Sequence, residues 1–411
     1  MKWQHLFLTA LVMAAVACDE DATGPDDDSL DGAPLEILGL GSVNERFSAE
    51  VAARGDVAYT TTWSNRAGNP GNIVKIWDVS GALPVLMDSL VIREADTTSD
   101  VQISDDGQLL VVSTEYADSG SIVIYDLEDP IAPRRLARHA SPTTAPAGVH
   151  TVKLGRVNDV LYAFLSVNGR AGVPSGLAVV DLSDPSNPVE VLARPMGRPF
   201  LHDVFVRDGL LFTALWNDGL GIFDIGGGGK GGSPADPIQI SRIETVGAVD
   251  SLQSRAHNIW WYHDAAGAKR YVFVGEEGPA TLGAFSSGDI HVVDITDIEN
   301  PVEVAFYHVK NAGTHNFAMD EHAGLLYAAY YNGGVRVIDV TGDLGSCEEE
   351  HRAEDGRCDL RAAGREVAVG LAGTQPLAVW GVALSGDRVL ASDMYHGLYV
   401  LDRADPGESP Q

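Results

Sequence analysis

Four histidines open short apolar runs in this chain: His150 in "HTV", His202 in "HDV", His257 in "HNI" and His315 in "HNF". Neutral imidazole is a common ligand of divalent transition metals, and its charge changes near neutral pH. Each of the four falls at the same register position of a repeated unit, so pseudo-symmetry would gather them around one axis. Loops that belong on the same face carry further polar groups: "WND" (Trp216–Asp218), "GEEG" (Gly275–Gly278), "YYNGG" (Tyr330–Gly334) and "SDMYHG" (Ser392–Gly397). Asp218, Glu276, Glu277, Asp393 and His396 are therefore expected to face the histidines. Imidazoles with one or two carboxylates suit zinc, copper, iron or nickel. If such a metal held a water, Glu276 or Glu277 would be the general base. Trp216 and Tyr331, with Tyr330 and Tyr395, offer an aromatic platform for a glycan or peptide, although core packing also uses aromatics. One residue further along each run lie Glu50, Asp100, Asp203, Asn258 and Asn316, oxygen donors better matched to calcium. Side chains alternate along a strand, so only one of the two sets is expected to line the axis. A structural reading competes with both: each histidine can instead bond the backbone of a neighbouring unit, with the Asp or Asn after it fixing the ring. Against that, the equivalent positions Ala49, Ser99 and Trp380 carry no histidine.

The elements that must position these residues are read from a second repeat. Apolar runs end in aspartate at Asp78, Asp126, Asp181, Asp224, Asp294, Asp339 and Asp402, giving seven copies. Around Asp224 the unit is clearest. "LHDVFVRDG" (Leu201–Gly209), "LLFTALWNDG" (Leu210–Gly219), "LGIFDI" (Leu220–Ile225) and "PIQISRIE" (Pro237–Glu244) are four short strands divided by Gly, Asp, Asn and Pro. No stretch after residue 35 shows a long helical period. Four short strands repeated about every 45 residues predict an all-β fold, a seven-bladed β-propeller with four antiparallel strands per blade. The third strand of each blade lies between neighbours and is apolar on both faces. Its terminal aspartate accepts from amides of the next turn, so the repeated aspartates are structural. The last copy stops after its third strand, while "LEILGLGS" (Leu35–Ser42) has no blade of its own; pairing it into blade seven would close the ring.

The unit "GLAVVDLSDPSNP", ending its strand at Asp181, with relatives at Asp126 and Asp294, resembles the LVIVD repeat family of bacterial exported and surface proteins. The likeness spans nearly all of residues 35–406 and is weaker at Asp224 and Asp339. It implies a β-propeller and an exported location and says little about chemistry.

At the N-terminus, Lys2 precedes the apolar run Leu6–Ala17 and small residues lead into Cys18. The run is too short to span a bilayer and reads as an export signal. "AVAC" (Ala15–Cys18) resembles a bacterial lipoprotein signal in which Cys18 is lipidated, although Ala15 stands where leucine is usual. Residues 18–34 are acidic, rich in Gly and Pro, and read as a disordered tether to a membrane. The expected location is the cell envelope. The propeller is assigned to residues 35–406, with inserts near 226–236 and 342–364, and residues 407–411 form a tail. "GGGGKGG" (Gly226–Gly232) lacks the context of a phosphate loop and reads as a flexible insert. Cys347 and Cys358 close a polar loop, by a disulfide in an oxidising compartment or, with His351, as part of a zinc site. The formal net charge of -30 disfavours nucleic acid and anionic lipid headgroups and favours cationic ligands. Composition and repeats thus predict a monomeric envelope module binding an unidentified protein, glycan or small molecule, or else a metal-dependent hydrolase or oxidase.

Overall fold

The structure, a computed structural model, describes residues 32–404 apart from 117–118, 171, 173, 248–254, 279–283 and 375. The export signal, Cys18 and the tail lie outside the described residues. The chain folds as a seven-bladed β-propeller. Among the described residues seven blade sheets run around a ring, each with four antiparallel strands taken in chain order except where the ring closes, and a small hairpin pairs Asn65–Arg66 with Asn69–Pro70. Blade four has strands Asp203–Arg207, Leu210–Ala214, Leu220–Asp224 and Ile238–Ile243, within a residue or two of the turn signals. The terminal aspartates act as turn acceptors. Oδ1 of Asp78, Asp126, Asp181, Asp294 and Asp339 each accepts the N–H two residues on. Asp224 accepts four amides of the glycine-rich insert, Gly226, Gly228, Lys230 and Gly232, which hold its carboxyl near a pKa of about 2 against the opposing effect of burial.

The core is divided among the blade interfaces. One apolar cluster joins blades two and three through Val111, Ile124, Leu165 and Val180. Another joins blades five and six through Phe273, Val292, Tyr307 and Leu326. The last interface, between blades seven and one, is closed by Val51, Trp77, Leu390, Leu398 and Val400. Each fully buried Leu or Phe there contributes about 1.5–3 kcal/mol, so a ring whose two ends met poorly would lose a whole interface. The ends meet by strand exchange: Ile37–Ser42 pairs antiparallel with Gly397–Asp402 and supplies the fourth strand of blade seven.

Two outer edges gain a short parallel strand. Cys358–Asp359 pairs with Ala305–Phe306 at the edge of blade five, pinned by the Cys347–Cys358 disulfide, so the two thiols are not metal ligands. Ala33–Pro34 pairs with Ala368–Val369 at the edge of blade six. This last pairing corrects the tether's boundary. The composition of residues 33 and 34 reads as disordered, but the adjacent blade edge offers unpaired backbone groups that order them.

Candidate functional site

All seven first strands are bulged at the channel mouth. In blade three Val149 pairs with Val167 and Thr151 with Ser166, leaving His150 as the extra residue. In blade five the extra residue is His257, and in blade seven it is Trp380. Blades one and two break register at the same place. In blade four the His202 N–H bonds the carbonyl of Ala214, which already faces Asp203. In blade six the His315 N–H and the Asn316 carbonyl both bond Ala329. A bulge sets two residues against one and interrupts alternation. The expectation that only one residue set lines the axis is therefore corrected. His150, His202, His257 and His315 line the axial cavity together with Glu50, Asp100, Asp203 and Asn316, in a volume of ≈ 110 Å³. Asn258 is the exception: it is buried beside Gly275, where a Cβ would meet its Oδ1, and does not line the cavity.

The imidazoles form a closed ring with two indoles. Ring centroids are 4.5 Å apart for His150–His202, 4.0 Å for His202–His257 and 4.2 Å for His257–His315. Trp380 follows at 4.3 Å from His315, Trp63 at 5.3 Å from Trp380, and His150 at 5.7 Å from Trp63. Trp216 stacks on His202 at 5.3 Å and Tyr331 packs on His315 at 5.0 Å. Both reach the ring from left-handed backbone conformations, with φ of 52° and 42°; Tyr116, at the matching loop of blade two, has φ of 60°. Such conformations cost a non-glycine residue about 1–3 kcal/mol and concentrate at functional loops.

Hydrogen bonds fix which ring nitrogens face the cavity. His150 Nδ1 lies 2.7 Å from Glu115 Oε1, and Glu115 also accepts from Ser99 Oγ at 2.5 Å and Asn168 Nδ2 at 2.6 Å. His202 Nδ1 lies 3.1 Å from the His257 carbonyl, and His315 Nδ1 lies 2.6 Å from the Trp380 carbonyl. A carbonyl or an ionised carboxylate only accepts, so each Nδ1 carries its proton. Two histidines thus hold the backbone of the next blade, as the structural reading expects, and the same bond turns Nε2 toward the cavity. The Nε2 atoms of His150 and His202 meet at 3.1 Å. The His257 ring lies beside Asn258 and the His315 backbone, and its Nε2 is 3.7 Å from Glu277 Oε2. Glu277 Oε1 accepts the Tyr331 hydroxyl at 2.5 Å. One donor atom from each of His202, His257 and Glu277 lies within 4.8 Å of the others.

Burial dominates the electrostatics. It holds His202 and His315 well below the ordinary histidine pKa, helped by the neighbouring imidazoles, and brings His257 to about 4 although Glu277 opposes it. Burial would lower His150 too, but the Glu115 charge and hydrogen bond outweigh it and hold that ring above its ordinary value. Deeper in the channel, burial and Asp100 raise Asp203 to about 7 and push Glu50 well up. Lys153, drawn down by burial, sits beside these carboxylates and over the rings of Phe205 and Trp260.

Four of the expected face residues are elsewhere. Asp218 is claimed by Arg198 at 2.6 Å and Arg242 at 3.2 Å. Glu276 lies inside blade five, 3.2 Å from His291 Nε2, because consecutive residues at the end of a strand turn to opposite faces and only Glu277 turns to the channel. Asp393 caps its own turn, accepting from Ala378 N–H and from His396, and so takes His396 out of the ring as well. Sequence reasoning also missed Trp63 and Glu115. Both sit at second-strand ends in blades one and two, the positions equivalent to the loops singled out in blades four to seven. Extending that alignment to "TTWSN" and "STEYA" finds them.

No family model matches the chain, and no curated protein does. Solved structures do. The β-propeller domain of Cps50 (Swd1) from Myceliophthora thermophila is similar at 12% identity and a TM-score of 0.58, over 90% of this chain and 100% of that one. Sqt1 from Chaetomium thermophilum gives 12% identity and a TM-score of 0.58, over 90% and 99%. At such identity the likeness shows the propeller fold and nothing of the site.

Proposed function

We propose that the protein is a binding module of the bacterial cell envelope whose ligand face is the channel mouth. The observation that carries this is the placement of Trp216 and Tyr331. Left-handed backbone holds both against a buried imidazole ring that lines the axial cavity. Trp216, half-buried at the mouth while Tyr331 is buried beneath it, suits a glycan, peptide or small molecule, and the charge of -30 favours one with positive groups. The envelope location rests on the export signal, the lipoprotein-like "AVAC" and the resemblance to LVIVD repeat proteins, and a disulfide fits an oxidising compartment.

A metal-dependent hydrolase or oxidase at the same mouth is the second reading, favoured by the convergence of His202, His257 and Glu277. Glu277 would then be a ligand or the base acting on bound water, whereas Glu276, bonded to His291, takes no part.

The test is titration of the exported protein with cationic peptides and oligosaccharides, followed by tryptophan fluorescence. Trp216→Ala should abolish binding, while Leu86→Ser on the exposed outer strand of blade one leaves it intact. Binding that survives Trp216→Ala would place the ligand face elsewhere.

A further inference from the structure

We infer that the channel mouth holds one divalent transition-metal ion, ligated by His202, His257 and Glu277. This rests on the mouth being the ligand face and names what it binds. One donor atom from each of His202, His257 and Glu277 lies within 4.8 Å of the others. The Nδ1 proton of His202 is committed to the His257 carbonyl, so Nε2 is the nitrogen left to meet an ion. Nitrogen donors about 2.0–2.1 Å from a tetrahedral centre stand roughly 3.3 Å apart.

The second observation is the placement of His257, which is 2% exposed and set against Glu277. Its Nε2 is 3.7 Å from Glu277 Oε2, too long for a hydrogen bond but close to the separation of two ligands on one ion. His315 packs on His257 but is not among the residues whose donor atoms converge.

The donors are also supported from behind. The His257 carbonyl orients His202, and the Tyr331 hydroxyl anchors Glu277. Partners of this kind fix the tautomer and aim of metal ligands. Nitrogen donors with a single carboxylate match zinc, copper, iron or nickel and not calcium, which takes six to eight oxygens. The carboxylates deeper in the channel do not supply that number: Glu50 holds Asn316, and Asp100 accepts the Val101 and Val152 amides.

The experiment is elemental analysis of the full chain, exported to a bacterial periplasm without a histidine tag, incubated with Zn²⁺, Cu²⁺, Ni²⁺ or Fe²⁺ and desalted. About one equivalent of one metal is expected. His202→Ala and His257→Ala should each retain less than a tenth of that while keeping a cooperative melt. Glu277→Gln, which can still accept from Tyr331, should weaken affinity at least 10-fold and tests the site even if a histidine variant fails to fold. No retained metal, or metal retained equally in all three variants, overturns the inference. If metal is absent while Trp216→Ala still abolishes ligand binding, the binding face stands and only the metal falls.

Discussion

Between the Nε2 atoms of His150 and His202 lie 3.1 Å, and the polar partners behind both rings decide what can occupy that gap. In the metal-free protein the raised pKa of His150 supplies a proton, so His150 donates to His202. Once an ion is bound, His202 Nε2 turns to it in place of His150. Glu115 matters in either state because its charge, 2.7 Å from His150 Nδ1, makes that ring the more basic of the two. Glu115→Gln keeps the shape and removes the charge. We expect the His150 imidazole to titrate lower in the variant, with an unchanged circular dichroism spectrum; a proton NMR titration of the histidines checks it, and an unaltered His150 titration would reduce Glu115 to packing. The histidines were legible as a set because they share one register position. Which carboxylate joins them was not. Glu276 and Glu277 are neighbours of one type, and only the local turn sends one to His291 and the other to the channel. Asp218 looked available until Arg198 and Arg242, distant in sequence or hidden in a loop, neutralised it.

Strands were legible from their length, their apolar character and the Asp-Gly and Pro punctuation between them. The bulges were not, since one extra residue leaves no mark in composition. Their effect is large all the same, because they let His202 and Asp203 both reach the cavity where strict alternation would admit one. Blade five carries a polar network that stabilises its interior. His291 lies between Glu303 Oε1 at 2.9 Å and Glu276 Oε2 at 3.2 Å, and Glu303 also holds Arg357 beside the disulfide. Burial opposes its charge, but the Glu303 and Glu276 carboxylates raise His291 to about 10. Its pKa in the unfolded chain is about 6.5. The imidazolium's contribution is therefore complete below pH 6.5 and is lost as pH rises through 10. His291→Gln should cost about 3–5 kcal/mol at pH 6 and flatten the decline of stability between pH 7 and 10, as measured by urea unfolding. A variant that kept the native pH dependence would refute the charged His291. Beside it, the Cys347–Cys358 bond closes a loop of separation 11. Reduction should cost about 3 kcal/mol by loop entropy, read as a drop in unfolding free energy with dithiothreitol; no change would mean the loop is held by its strand pairing alone.

Taken whole, the molecule is a ring whose ends are joined by Ile37–Ser42 on Gly397–Asp402. That closure was legible because the last repeat lacked a fourth strand and the first residues of the fold supplied a spare one. The short edge pairing of Ala33–Pro34 was illegible, because tertiary contact overrode a composition that reads as disordered. Deleting residues 35–42 opens the interface between blades seven and one and should lower Tm by roughly 5–10 °C; an unchanged melt by calorimetry would show that closure does not depend on this strand. The ring in turn sets the site, since its pseudo-symmetry brings residues from blades four and five within reach of one ion. The most direct test of the mouth as the ligand-bearing centre is anomalous X-ray diffraction from crystals of the metal-incubated protein, collected at the absorption edge of the retained metal. The account predicts one strong peak within bonding distance of His202, His257 and Glu277. A peak confined to another part of the ring, or none at the mouth in crystals of metal-incubated protein, would contradict it.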